Sequence, residues 1–162
     1  MNRYVRDALI SLLLILLQTK FIQLLSIEGV SPDLLVVWIV YVAIKEGQIP
    51  ATVTGFSIGL VIDLVSGEFV GLSALSKTIC GFTAGYFFNV NKTAQTLGSY
   101  RFLVVVFIAS LIHNVVYFVV YTMGTELTVV EVLLRYGTTS TLYTLAFSLL
   151  PMLIFARQLK VT

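Results

Sequence analysis

Two opposite charges sit in the apolar stretch "FSIGLVIDLVSGEFVGLSALSKT", residues 56–78: Asp63 and Lys77. An isolated charge in hydrocarbon costs about 2.5–3.5 kcal/mol on insertion scales, so each needs a partner or a wet surface. Two arrangements satisfy that need. Asp63 and Lys77 can pair across the turn that separates them, stapling a hairpin. Alternatively, they line a polar chamber together with Lys20, Asp33, His113 and Asn114. Gln18 and Gln23 flank Lys20, which can also snorkel to the membrane interface. Nucleophilic chemistry has one pairing to offer, Ser73 with His113. It lacks a G-x-S-G elbow, so no catalytic residue is assigned. A single histidine rules out a two-histidine metal motif on a helix, and no phosphate-binding or dinucleotide fingerprint occurs, so no metal and no cofactor are expected.

Composition fixes the setting. Of the 162 residues, 58% are hydrophobic and 11% charged, and the mean hydropathy is +0.99. A soluble domain of this length needs more polar surface. The net charge of +2 is small and dispersed, which argues against nucleic acid. The lone Cys80 permits no internal disulfide. Arg3 and Arg6 precede the first apolar run as in a signal peptide. Gln18, Thr19 and Lys20 follow in place of a small-residue cleavage site, so the run is read as a retained span.

A membrane helix takes roughly 20 apolar residues to cross about 30 Å of hydrocarbon. The runs are continuous, not alternating, which favours helices over a barrel. The expected fold is an all-α integral membrane protein, one domain over residues 1–162. Its six spans run about 8–27, 32–45, 49–66, 70–90, 102–123 and 138–156. The second is short; charge argues that it crosses. With six spans and an inner N-terminus, Arg3, Arg6, Lys45, Lys92, Arg101, Arg157 and Lys160 are all cytoplasmic and only Arg135 is external, as the positive-inside rule requires. Both termini are then cytoplasmic, and the intramembrane polar residues collect in the outer half. Residues 125–136, "TELTVVEVLLRY", form an interfacial segment in which Glu131 and Arg135 stand four apart and could pair. Gly55 with Gly59, and Gly81 with Gly85, form two G-x-x-x-G pairs that serve helix packing inside the bundle or docking of a partner's helix. Trp38, Tyr41, Tyr117 and Tyr121 stand at helical spacing and could line a pocket or simply pack.

Residues 31–47, "SPDLLVVWIVYVAIKEG", and 55–87, "GFSIGLVIDLVSGEFVGLSALSKTICGFTAGYF", resemble the rod shape-determining protein MreD family. Its pattern appears as Pro32, Asp33 and Leu34; then Gly55, Gly59, Asp63, Leu64, Ser66 and Gly67; then Gly71, Leu72, Ala74 and Leu75. The resemblance implies a bacterial inner-membrane scaffold for cell-wall elongation. Such a scaffold binds MreC and helps link MreB filaments to the RodA polymerase and its penicillin-binding transpeptidase. It also implies a fold like the substrate-binding S components of energy-coupling-factor transporters, which gives the alternative of a solute-binding transport module.

Overall fold

The computed structural model describes residues 3–20, 30–67, 69–123 and 128–159. Gln23, the end of the first expected span, residues 124–127 and Lys160 lie outside the described residues. The chain is helical: α1 (Arg3–Lys20), α2 (Leu34–Glu46), α3 (Gln48–Ser66), α4 (Leu72–Ala84), the short α5 (Thr93–Leu97), α6 (Tyr100–Thr122), a single turn α7 (Val129–Val132) and α8 (Thr138–Leu159). Among the described residues, three segments are long and apolar enough to cross a membrane: Gln48–Ser66, Tyr100–Thr122 and Val129–Arg157. Helix α1 is 18 residues long and carries four charged residues, Arg3, Arg6, Asp7 and Lys20. Helices α2 and α4 have 13 residues each, about 20 Å at 1.5 Å per residue. The expected second span, 32–45, thus becomes a helix that starts at Leu34. The fourth, 70–90, becomes α4 followed by a 3₁₀ turn, Gly85–Phe87.

Helix α2, "LLVVWIVYVAIKE", is apolar on every side, the mark of a helix enclosed by others. Leu35, Val36, Ile39, Val40 and Ala43 are fully buried. Its neighbours cover it with Ile15 from α1, Ala51 and Ile58 from α3, Cys80 and Ala84 from α4, and Phe102, Val105, Val106 and Ala109 from α6. Trp38 donates its indole N–H to Ser11 Oγ of α1 at 2.9 Å. It stacks on Tyr41, which stacks in turn on Phe155 of α8.

The exterior inverts the pattern of a soluble protein. Leu9, Leu12, Leu13 and Leu16 of α1, Phe56 and Leu64 of α3, and Leu142, Leu150, Leu153 and Ile154 of α8 are exposed. Meanwhile Asp63, Lys77, Ser76, Ser110, His113, Asn114, Thr144 and Ser148 are buried. Apolar groups outside and polar groups inside is the arrangement lipid demands; most of the inner groups are hydrogen-bonded, the Ser110 hydroxyl being an exception among the described residues.

Helices α3 and α4 make the closest contact in the bundle, and four glycines permit it. A Cβ at Gly55 would strike the Lys77 carbonyl, at Gly59 the Ala74 backbone, at Gly81 the Ala51 carbonyl and at Gly85 the Gln48 backbone. Each glycine lies against backbone of the facing segment, so all four serve close packing within the chain.

Candidate functional site

Two short helices begin at one end of the bundle, and each start is held by a carboxylate. A helix start leaves four backbone N–H groups without intrahelical acceptors. At α2 the acceptor is Asp33: its Oδ1 accepts from the N–H of Leu35 and Val36 at 3.0 and 3.1 Å. The segment preceding it is clamped from several sides. Gln18 of α1 donates to the Pro32 carbonyl at 2.9 Å and accepts from the Leu34 N–H at 3.1 Å. The Asp33 N–H donates to Thr144 Oγ1 of α8 at 2.9 Å.

At α4 the acceptor is Asp63, which lies on the preceding helix and is 2% exposed. Its Oδ2 accepts from the N–H of Gly71 at 2.8 Å and Ala74 at 3.1 Å, and its Oδ1 from that of Ser73 at 3.0 Å. The turn between has to double back quickly. Gly67 ends α3 in the left-handed conformation at φ 68°, and Gly71 precedes α4 at φ 102°; both are values that side-chain-bearing residues rarely adopt. Asp63 is therefore a helix cap, and the ion pair with Lys77 does not form.

Lys77 pairs with Asp33 instead. Its Nζ lies 2.6 Å from Asp33 Oδ2. His113 Nε2 lies 3.4 Å from the same oxygen and 3.5 Å from Lys77 Nζ. Side chains from α4 and α6 thus converge on the first residues of α2. Asn114, beside His113, donates to the Gly137 carbonyl at 3.2 Å and to Thr141 Oγ1 at 2.8 Å, tying α6 to the start of α8.

Above this cluster lies a cavity of about 700 Å³. Asp33, Lys77 and His113 form its floor, Ser73 and Asn114 its sides, and Tyr117, Tyr121 and Tyr136 an aromatic wall. Of the six residues proposed for a polar chamber, four meet here: Asp33, Lys77, His113 and Asn114. Asp63 stands behind the α4 start, outside the lining. Lys20 is exposed and also outside it. Ser73 lines the cavity, but among the described residues no hydrogen bond joins it to His113, whose Nε2 faces Asp33 and Lys77. The arrangement therefore provides a buried ion pair beside a half-open space of mixed polar and apolar lining, not an activated nucleophile.

The aromatic residues divide between the two ends. Trp38 and Tyr41 pack with Phe155, whereas Tyr117 and Tyr121 stack on each other beside the cavity, centroids 6.1 Å apart. Glu131 and Arg135 do not pair. A π-helical turn, Leu133–Gly137, intervenes and moves residues four apart out of register. Glu131 accepts from Thr128 Oγ1 at 3.3 Å, and the Arg135 guanidinium lies over the Tyr136 ring. Sequence reasoning missed Thr144. Its signal is a polar stripe on an otherwise apolar helix: Thr141, Thr144 and Ser148 stand three and four apart and are all buried.

The Pro-Asp-Leu start of α2 and the Asp63 cap coincide with the segments that carried the family resemblance. The family model for the rod shape-determining protein MreD matches residues 3–159. The chain belongs to the MreD family. No curated protein and no solved structure matches it. Membership extends the resemblance from the central third to nearly the whole chain, including the last two spans, where sequence motifs alone were sparse. It makes the protein a rod-shape-determining membrane protein, and places the Asp33 and Asp63 caps within a family concerned with cell shape.

Proposed function

We propose that this MreD-family protein is a non-enzymatic scaffold of the bacterial cell-elongation machinery. In this reading it crosses the inner membrane six times with both termini in the cytoplasm. It binds MreC, and through it couples MreB filaments to RodA and a penicillin-binding transpeptidase. The observation that carries the reading is the family match over residues 3–159. The use of the buried charges fits it: Asp63 braces α4, and Asp33 braces α2 while neutralising Lys77, so the acids are committed to holding helices. Orientation follows from charge. Lys45, Lys92, Arg101 and Arg157 favour the cytoplasmic side, which puts the Asp33–Lys77 end outward.

A second reading, a solute-binding transport module, is favoured by the cavity of about 700 Å³ at that end. Purification from native membranes separates the two. The scaffold reading expects stoichiometric recovery of a single-span protein with a periplasmic domain. Recovery of an ATPase pair in its place would reject it. Labelling of Lys92 from outside the cell would reject the orientation.

A further inference from the structure

We propose that the cavity between the α2 and α4 starts binds an uncharged saccharide ring, offered either as a free sugar or as the head group of a lipid-linked glycan. This goes beyond the scaffold reading and does not depend on it.

The volume, about 700 Å³, lies within the range of small-molecule sites. Its floor selects against net charge. Asp33 and Lys77 already neutralise each other at 2.6 Å. A carboxylate or an ammonium ligand would add a third charge to this already neutral pair. Either leaves a buried charge uncompensated. An uncharged ligand leaves the pair intact and can still use the spare donor capacity of the ammonium group.

The sides of the cavity hold unspent hydrogen-bonding groups. Ser73 is 7% exposed, and its hydroxyl has no protein partner among the described residues; its N–H is the group that bonds Asp63. Asn114 is 6% exposed. It commits its amide nitrogen to Gly137 and Thr141, leaving Oδ1 as an acceptor. The hydroxyls of Tyr121 and Tyr136 are likewise without protein partners among the described residues. Both donors and acceptors are thus available in the lining, as vicinal hydroxyls require.

The third feature is the aromatic wall. Tyr117 and Tyr121 lie one turn apart on α6, with ring planes within 9° of parallel. Stacked on each other, the pair leaves the outer ring face as a flat apolar surface beside the polar groups. A pyranose has the matching construction: a flat C–H face and a rim of hydroxyls. Amphipathic tyrosine rings suit such a ligand because one side chain serves both parts.

The test uses the full-length protein in nanodiscs, titrated with glucose, galactose and N-acetylglucosamine, and with their charged counterparts glucosamine and glucuronic acid. Binding is read by saturation-transfer NMR. In parallel, organic extracts of the purified protein are analysed by mass spectrometry. The expectation is that at least one neutral sugar binds, with both charged sugars at least tenfold weaker, or that the extract contains a stoichiometric sugar-bearing lipid. The first result identifies a free sugar and the second a lipid-linked one. Tyr121→Leu should weaken the association about tenfold and Ser73→Ala several-fold, in keeping with loss of a stacking face or one hydrogen bond. Protection of Cys80 from thiol reagents checks that each variant is folded. Three results would overturn the proposal: no neutral sugar bound and no sugar-bearing lipid extracted, charged sugars bound as tightly as neutral ones, or affinity unchanged in folded Tyr121→Leu. Partner recovery from the unmodified protein is measured separately, so either reading can fail alone.

Discussion

Replacing Asp63 by alanine removes three acceptor contacts at once. The N–H groups of Ser73 and Ala74 are buried and that of Gly71 is partly buried. Hydrogen bonds to a charged acceptor contribute about 1.5–3 kcal/mol each. Relief of the buried carboxylate offsets part of the loss. Counting the two fully buried donors at the low end gives a destabilisation of about 3 kcal/mol. For a chain of this size that corresponds to roughly 6–12 °C in melting temperature. The protein carries its own reporter. Cys80 is the single cysteine; it lies on α4 and is fully buried in the core. A thiol-reactive fluorophore therefore lights up when this region opens. Leu64→Ala is the control: the neighbouring residue is 65% exposed and should leave the midpoint almost unmoved. A fall of under 2 °C for Asp63→Ala would refute the capping account. So would strong coupling to Lys77. If Asp63 is a cap and Lys77 serves Asp33, then Asp63→Ala and Lys77→Met should be additive to within about 0.5 kcal/mol.

Lys77→Met should itself cost about 3–5 kcal/mol, because it leaves the Asp33 carboxylate without its cation. The Lys77→Met/Asp33→Asn double variant should be milder than Lys77→Met alone, by the same melting assay. Gly59→Ala should destabilise more than Gly67→Ala: the first drives a methyl group into the Ala74 backbone, and the second meets only the strain of a left-handed φ in open space. Arg135→Ala should change stability by less than about 0.5 kcal/mol, since the exposed Arg135 makes no ion pair with Glu131 among the described residues.

The sequence announced the helical membrane class through continuous apolar runs, which composition alone makes legible. It also announced that Asp33, Lys77, His113 and Asn114 are out of place, because ionisable and amide groups are costly inside apolar helices. What it could not reveal was the pairing. Asp63 and Lys77 are 14 positions apart across one turn, whereas Asp33 and Lys77 are 44 apart. Loop proximity therefore pointed to the wrong acid. The deciding fact is local: α4 starts at Leu72, only nine residues after Asp63, so its free N–H groups reach the Asp63 carboxylate first. Likewise, Trp38–Tyr41 and Tyr117–Tyr121 look alike as spacings of three and four. Only the neighbour that faces each pair, Phe155 in one case and the cavity in the other, tells packing from lining.

The cluster and the cavity have a common cause in helix length. At 13 residues, α2 and α4 span about 20 Å, some 10 Å less than the hydrocarbon they would have to cross. In the proposed six-span arrangement their starts then lie below the outer membrane surface, with the longer α6 and α8 extending fully across. A helix start at that depth cannot borrow water for its orphan N–H groups, so each needs a built-in acceptor. Asp33 and Asp63 fill that need. One of the two acids then acquires Lys77 as its cation. The same shortfall leaves unfilled space above the starts, which α6 and the segment leading into α8 wall in. Stability and any ligand binding thus share the floor residues Asp33 and Lys77. Variants of the floor will confound the two, whereas the hydroxyl of Ser73 and the ring of Tyr121 lie on the cavity side and hold no helix start. Only changes at those wall positions can report on binding without unfastening the bundle.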